Sequence, residues 1–124
     1  PATTLADYCY SYMFWDCTSL ISAPELPATT LAEYCYGSMF YGCTSLISAP
    51  ELPATTLGYY CYERMFKDCS NLEYIKVGAT SWETLYAYEW VQDVAPSGTF
   101  VKPSGTSIPT GSNGIPSGWT VMNI

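Results

Sequence analysis

The sequence predicts an α/β solenoid, with a short parallel sheet on one face, short helices on the other and a C-terminal α/β cap. Three observations predict it. First, the stretch Pro27–Leu52, PATTLAEYCYGSMFYGCTSLISAPEL, stands just upstream at Pro1–Leu26, with changes only at Asp7/Glu33, Ser11/Gly37, Tyr12/Ser38, Trp15/Tyr41 and Asp16/Gly42. Second, the same text begins again at Pro53 and holds through Leu72. A fixed period of about 20–50 residues marks stacked supersecondary units. Third, each copy joins a segment of helical spacing to an extended run, and strand–turn–helix repeats place a parallel sheet on one face and helices on the other.

The helical segment is Leu5–Cys17, with Thr3 and Thr4 placed to cap it. At 100° per residue, Leu5, Cys9, Tyr10, Met13, Phe14 and Cys17 share one half of the wheel. These residues recur in all three copies. The residues that change fall mainly on the other half, as expected when packing fixes one face and solvent leaves the other free. Tyr8 is the exception, unchanged although off the stripe.

The extended run is Leu20–Leu26, bent by Pro24, which cannot donate to a ladder. In the third copy, Leu72–Val77 alternates more cleanly. Aligning Val77 with Leu26 puts Glu25, Glu51 and Lys76 outward on successive rungs.

The pattern C-T-S-L-x-S-A-P-x-L-P-A-T-T-L-A-x-Y-C-Y-x-x-M-F-x-x-C, spread over residues 1–77, resembles the BspA-like leucine-rich repeat of bacterial surface proteins. The segment with Trp90-Val91, Gly98–Lys102 and Gly114–Val121 resembles the closing module that follows such repeats in gut Bacteroidetes. The resemblance implies a leucine-rich-repeat solenoid, an extracellular or cell-surface location, and attachment to host matrix proteins or other bacteria. The repeats are some three residues longer than the commoner form, and Pro24 and Pro50 interrupt the strand.

The expected division is therefore three 26-residue repeats over 1–77, the first truncated at its N-terminal side, and a capping segment over 78–124. The chain begins in mid-repeat, which reads as a fragment or processed product of a longer protein and leaves room for an export signal upstream. In the cap, Thr80 and Glu83 fit a capping box, and Trp82, Tyr86, Trp90 and Val94 form a helical stripe. Thr99–Lys102 and Trp119–Ile124 read as strands, and the Gly/Ser/Thr/Pro-rich 103–118 as a loop.

Composition narrows the function. A net charge of −7 with four basic residues argues against nucleic acid and against an anionic membrane surface. No run approaches the roughly 18 apolar residues of a membrane span. Without histidine, Ser-His and Cys-His nucleophilic pairs are impossible within the chain. Glu25 and Glu51, one rung apart, could share a proton, but read more simply as solvated, equivalent repeat positions. No catalytic residue, cofactor or metal is expected.

The six cysteines fall in C-x7-C pairs. A helical rise of about 12 Å over eight residues separates each pair too far for a bridge. Helices about 8–10 Å apart oppose bridges between copies. Two ladders of buried thiols are expected, with inter-repeat disulfides as the alternative. Zinc is disfavoured by the spacing and the lack of histidine.

Binding is the better-supported role. Tyr12, Trp15, Tyr41 and Tyr59 sit on the changeable face and offer rigid contact area with a polar handle. The sheet face carries Glu25 and Glu51 beside Ser22 and Ser48. The expectation is a non-catalytic adhesion or recognition module for a protein or glycan on a host or bacterial surface. A carbohydrate-binding module and a structural or receptor-binding bacteriophage part are the alternatives, and oligomeric state is left open.

Overall fold

A computed structural model describes residues 2–124. It overturns the expected α/β leucine-rich-repeat solenoid. There is no α-helix among the described residues, and most of the chain is irregular or turn. The regular elements are β1 (Tyr74–Lys76), a single 3-10 turn (Thr84–Tyr86), β2 (Thr99–Lys102) and β3 (Thr120–Asn123). They form one parallel sheet in the order β1-β2-β3.

The segments expected to be helices are flat ribbons of consecutive turns. Their N–H groups alternate in direction. Cys9, Ser11, Met13, Trp15 and Cys17 each donate to the carbonyl three residues back. Tyr8, Tyr10, Tyr12, Phe14 and Asp16 donate across to Glu33, Cys35, Gly37, Met39 and Tyr41 of the next copy, at 2.7–3.0 Å. The second copy repeats this toward the third, from Tyr34→Tyr59 to Gly42→Lys67. An α-helix keeps all these bonds within the segment. The ribbon spends half of them on its neighbour.

Every fourth residue carries the cost of this geometry. Tyr8, Tyr12 and Asp16, then Tyr34, Ser38 and Gly42, then Tyr60, Arg64 and Asp68 all have positive φ. For a side chain other than glycine this left-handed state costs about 1–2 kcal/mol. The cross-ribbon bonds and the buried ladders offset it.

The helical expectation failed for a definable reason. Over the eight residues from Cys9 to Cys17 a helix drifts by only about 80°, so a four-residue turn period and a 3.6-residue helical period place the same residues on one face. Propensity then decides. The segment holds three Tyr, two Cys and two Asp with single Ser, Phe and Trp, all weak helix formers. An isolated helix this short is marginal in any case.

Between ribbons, like residues stack. Phe14–Phe40–Phe66 pack with centroids 5.5 and 5.7 Å apart and planes within 5°. Tyr10–Tyr36–Tyr62 run beside them at 6.0 and 6.3 Å. Both columns end on the indole of Trp90, 5.3 Å from Tyr62 and 5.9 Å from Phe66. Residue 90 belongs to a fourth ribbon. Leu85, Tyr86, Tyr88, Trp90 and Gln92 accept from Tyr60, Tyr62, Arg64, Phe66 and Asp68. The helix expected over Thr80–Val94 is therefore replaced by this ribbon and its one 3-10 turn. Thr80 does not cap it: its hydroxyl donates to Thr55 O at 3.2 Å, and Glu83 makes no capping bond.

The extended halves show what proline does to a ladder. The first two copies keep Pro24 and Pro50 and form no strand; the second makes only isolated pairings, Ser48 with Tyr74 and Leu52 with Val77. The offset falls from 26 to 25 residues between those two pairs, because the third copy lacks one residue there and has no proline. Only there does a true strand, β1, form. β2 and β3 extend it in parallel, Ile75 beside Phe100 and Phe100 beside Val121. The cap is tied in by indoles and hydroxyls. Trp90 Nε1 donates to Gly114 O (2.9 Å), Trp119 Nε1 to Ala95 O (2.8 Å) and Thr106 Oγ1 to Ala79 O (2.5 Å).

Two predictions follow from the stacking. Phe40→Ala, fully buried between two phenylalanines, is expected to cost about 3–5 kcal/mol in urea unfolding, and Phe14→Ala at the half-exposed end of the column clearly less. Gly42 has φ of 76° and faces the Asp16 carboxylate, whereas Asp16 and Asp68 fill that repeat position in the neighbouring copies. Gly42→Asp would strain the backbone and line up three carboxylates, so a loss of about 1–2 kcal/mol is expected, larger at pH 7 than at pH 4.

Candidate functional site

Three of the four aromatic candidates meet. Tyr12 and Trp15 are 63% and 52% exposed, and both sit on the first ribbon. Their rings touch edge to face at 6.4 Å, and Trp15 does the same with Tyr41 of the second ribbon at 6.4 Å. Lys67 of the third ribbon lies over Tyr41, its Nζ 5.7 Å from the ring centroid. The column Trp15–Tyr41–Lys67 thus runs from aromatic to cationic across three copies. Beside it runs Tyr12–Ser38–Arg64, where Arg64 lies over Tyr88 at 5.5 Å. Tyr59 does not join this patch but tilts against Tyr86 at 5.9 Å.

The cationic end of the flank is internally balanced. Glu89 accepts from Arg64 Nε at 2.9 Å and from Lys67 Nζ at 3.3 Å, and Arg64 also reaches Glu63 at 3.4 Å. The hydrogen bond from Arg64 holds the Glu89 carboxyl below its ordinary range, while burial pushes Glu63 up. Sequence reasoning missed this network. Its signal was the change from Tyr12 and Ser38 to Arg64, and from Trp15 and Tyr41 to Lys67.

Glu25 and Glu51 lie elsewhere. Both line one open groove of about 460 Å³ with Pro24, Pro27, Pro50 and Pro53. Glu51 pairs with Lys76 at 3.3 Å, as outward positions on successive rungs would.

A further column was visible in the sequence only as an anomaly. Tyr8, Tyr34 and Tyr60 stack face to face, each pair 4.8 Å apart with planes within 14°. This explains why Tyr8 is unchanged among the copies although off the expected stripe. Tyr34 is covered on both ring faces by its neighbours, whereas Tyr8 at the end of the column is covered on one face and stays 60% exposed.

The cysteines are all free thiols, but the geometry differs from the helical expectation. Hydrogen-bonded ribbons lie about 4.8 Å apart, not the 8–10 Å of packed helices, so Cα separation alone does not forbid bridges between copies. Two of the thiols instead donate to carbonyls of the preceding ribbon, while Cys9 is exposed. Cys43 Sγ donates to Phe14 O and Cys69 Sγ to Phe40 O, both at 3.0 Å. Burial pushes Cys35 and Cys69 up to about 12 and Cys43 up to about 11, and raises Cys61 also. Such thiols are poor nucleophiles. Among the described residues, no group of three or more His, Cys, Asp or Glu is placed to hold a metal ion, and no helix is long and apolar enough to cross a membrane.

The buried thiols set an alkaline limit on the fold. An unfolded cysteine ionises near pH 8.5, and these folded ones only well above it. Their contribution is whole below about pH 8.5 and is lost as pH rises toward 11–12. Each is expected to remove up to about 1.4 kcal/mol per pH unit in that window. Thermal melts between pH 7 and 10 should show a steep fall in Tm above pH 9 that Cys61→Ala makes shallower. A Tm flat to pH 10 is the contrary result. Comparison with protein families, curated proteins and solved structures finds no match to the chain.

Proposed function

We propose that the chain is a non-catalytic, extracellular recognition module that binds a protein partner through the flank formed by Tyr12, Trp15 and Tyr41. The observation that carries this reading is the contact of the three rings across two ribbons, with Tyr12 and Trp15 more than half exposed. Exposed large aromatics on a rigid frame lose little entropy on binding and are enriched at the centres of protein interfaces. The frame is rigid because every second N–H beneath the patch is tied to the next ribbon. The neighbouring cations of Arg64 and Lys67 are held by Glu63 and Glu89, which suits a polar rim around an aromatic centre. A protein ligand is proposed because the charged groups beside the rings, Arg64 and Lys67 with Glu63 and Glu89, match the polar rim of a protein interface.

The test is a binding screen against a panel of host matrix and bacterial surface proteins, run beside a glycan array. A protein hit is expected that loses at least tenfold in affinity with Trp15→Ala, equivalent to about 1.4 kcal/mol. Trp15→Ala is expected to leave Tm almost unchanged, since the ring is half exposed. Glycan binding lost in the same variant would move the reading to a carbohydrate module. A protein hit indifferent to Trp15→Ala and Tyr12→Ala would remove this flank from it.

A further inference from the structure

The first ribbon ends the stack with a face unlike any other in the molecule. Met13 is 54% exposed, whereas its counterparts Met39 and Met65 are 1% and 0%. Cys9 is exposed, and Cys35 and Cys61 are buried. The side chains are the same; the difference is a ribbon on both sides rather than one.

The main chain says what kind of ribbon this face would accept. The carbonyls of Glu33, Cys35, Gly37, Met39 and Tyr41 each accept from the ribbon before them. The equivalent carbonyls of Asp7, Cys9, Ser11, Met13 and Trp15 accept from nothing among the described residues. From Tyr8 to Asp16 no N–H points the same way, since each donates either forward to the second ribbon or back within its own; one position earlier, Glu33 N of the second ribbon reaches back to the Asp7 carboxylate. The face is therefore a row of acceptors over an apolar surface.

That polarity excludes one partner and selects another. A second copy of this chain, face to face, would set acceptors against acceptors. Its opposite end offers no free donor row, because Val91 N donates to Ser112 O, Glu89 N to the Asn113 side chain and Trp90 Nε1 to Gly114 O. A segment of the Pro27–Leu52 type presents five N–H donors at the required spacing, as Tyr34, Tyr36, Ser38, Phe40 and Gly42 do toward the third ribbon.

We infer that the first ribbon is a one-way docking face for a further ribbon of the same 26-residue type, entering by its N–H edge, and that it does not pair with a second copy of the chain.

The test uses Cys9 as reporter. A duplicate of residues 27–52 is joined ahead of residue 1, and alkylation of the native protein is followed cysteine by cysteine. Cys9 is expected to react about tenfold slower or less, matching Cys35. A duplicate carrying the counterparts of Tyr36→Pro and Phe40→Pro, which lack the needed N–H groups, is expected to leave Cys9 reactive. The peptide 27–52 added in trans to the unaltered chain gives the second measurement if the fusion does not order. Cys9 unprotected by both, with Cys35 still protected, overturns the inference. So does equal protection by the proline duplicate, or loss of Cys9 reactivity as the unaltered chain dimerises at high concentration.

Discussion

The structure depends on where alternate backbone N–H groups go. In each of the first three ribbons one N–H turns back to the carbonyl three residues earlier and the next crosses to the following ribbon. Neither set alone would hold the chain. Turns without the cross-links would be fluctuating loops, and cross-links without the turns would be an ordinary sheet. Their combination forces a left-handed residue at every fourth position and brings identical side chains into contact at close spacing. The aromatic columns, the thiol columns and the exposed flank all follow from it.

This arrangement makes the copies unequal despite their near-identical text. The middle ribbons bury Tyr36, Met39, Phe40, Tyr62, Met65 and Phe66 completely or almost so. The last ribbon substitutes Trp90, whose indole covers both columns and whose ring nitrogen reaches Gly114. Aromatic bulk replaces a further repeat at that end, and the loop over 109–116 takes up the remaining donors. The sheet side follows a separate rule. Proline keeps the first two extended runs from becoming strands, and its loss in the third copy lets β1, β2 and β3 assemble.

Much of this was legible in the residues. The period, the fixed and changeable faces, and the strands at 74–76, 99–102 and 120–123 could all be read from spacing and turn chemistry. Trp90 was placed in an apolar stripe, and Glu51 and Lys76 on adjacent rungs. The backbone of the ribbons was not legible. Cys9, Tyr10, Met13, Phe14 and Cys17 fit a helix and a four-residue turn period equally well over so short a length, and tertiary hydrogen bonding decided between them. The meeting of Trp15 with Tyr41 needed the distance between copies, which the helical reading set too large. Tyr59 was grouped with them by variability alone, and the fold sends it to Tyr86.

The one-residue shortening in the extended run of the third copy has a wider meaning. Cross-links run at an offset of 25 from Tyr34 to Tyr59 and from Tyr60 to Leu85, then at 24 from Tyr62 to Tyr86. Leu85 and Tyr86 are adjacent, so two successive carbonyls face the same way and the alternation slips by one. The 3-10 turn at Thr84–Tyr86 absorbs the slip. A ribbon therefore reads parity. Side chains can be exchanged, as the differences between the first two copies show, but adding or removing a single residue inside Leu5–Cys17 would swap every outward N–H for an inward one. Within the ribbons drift is confined to letters; a change of length falls outside them, as in the extended run of the third copy.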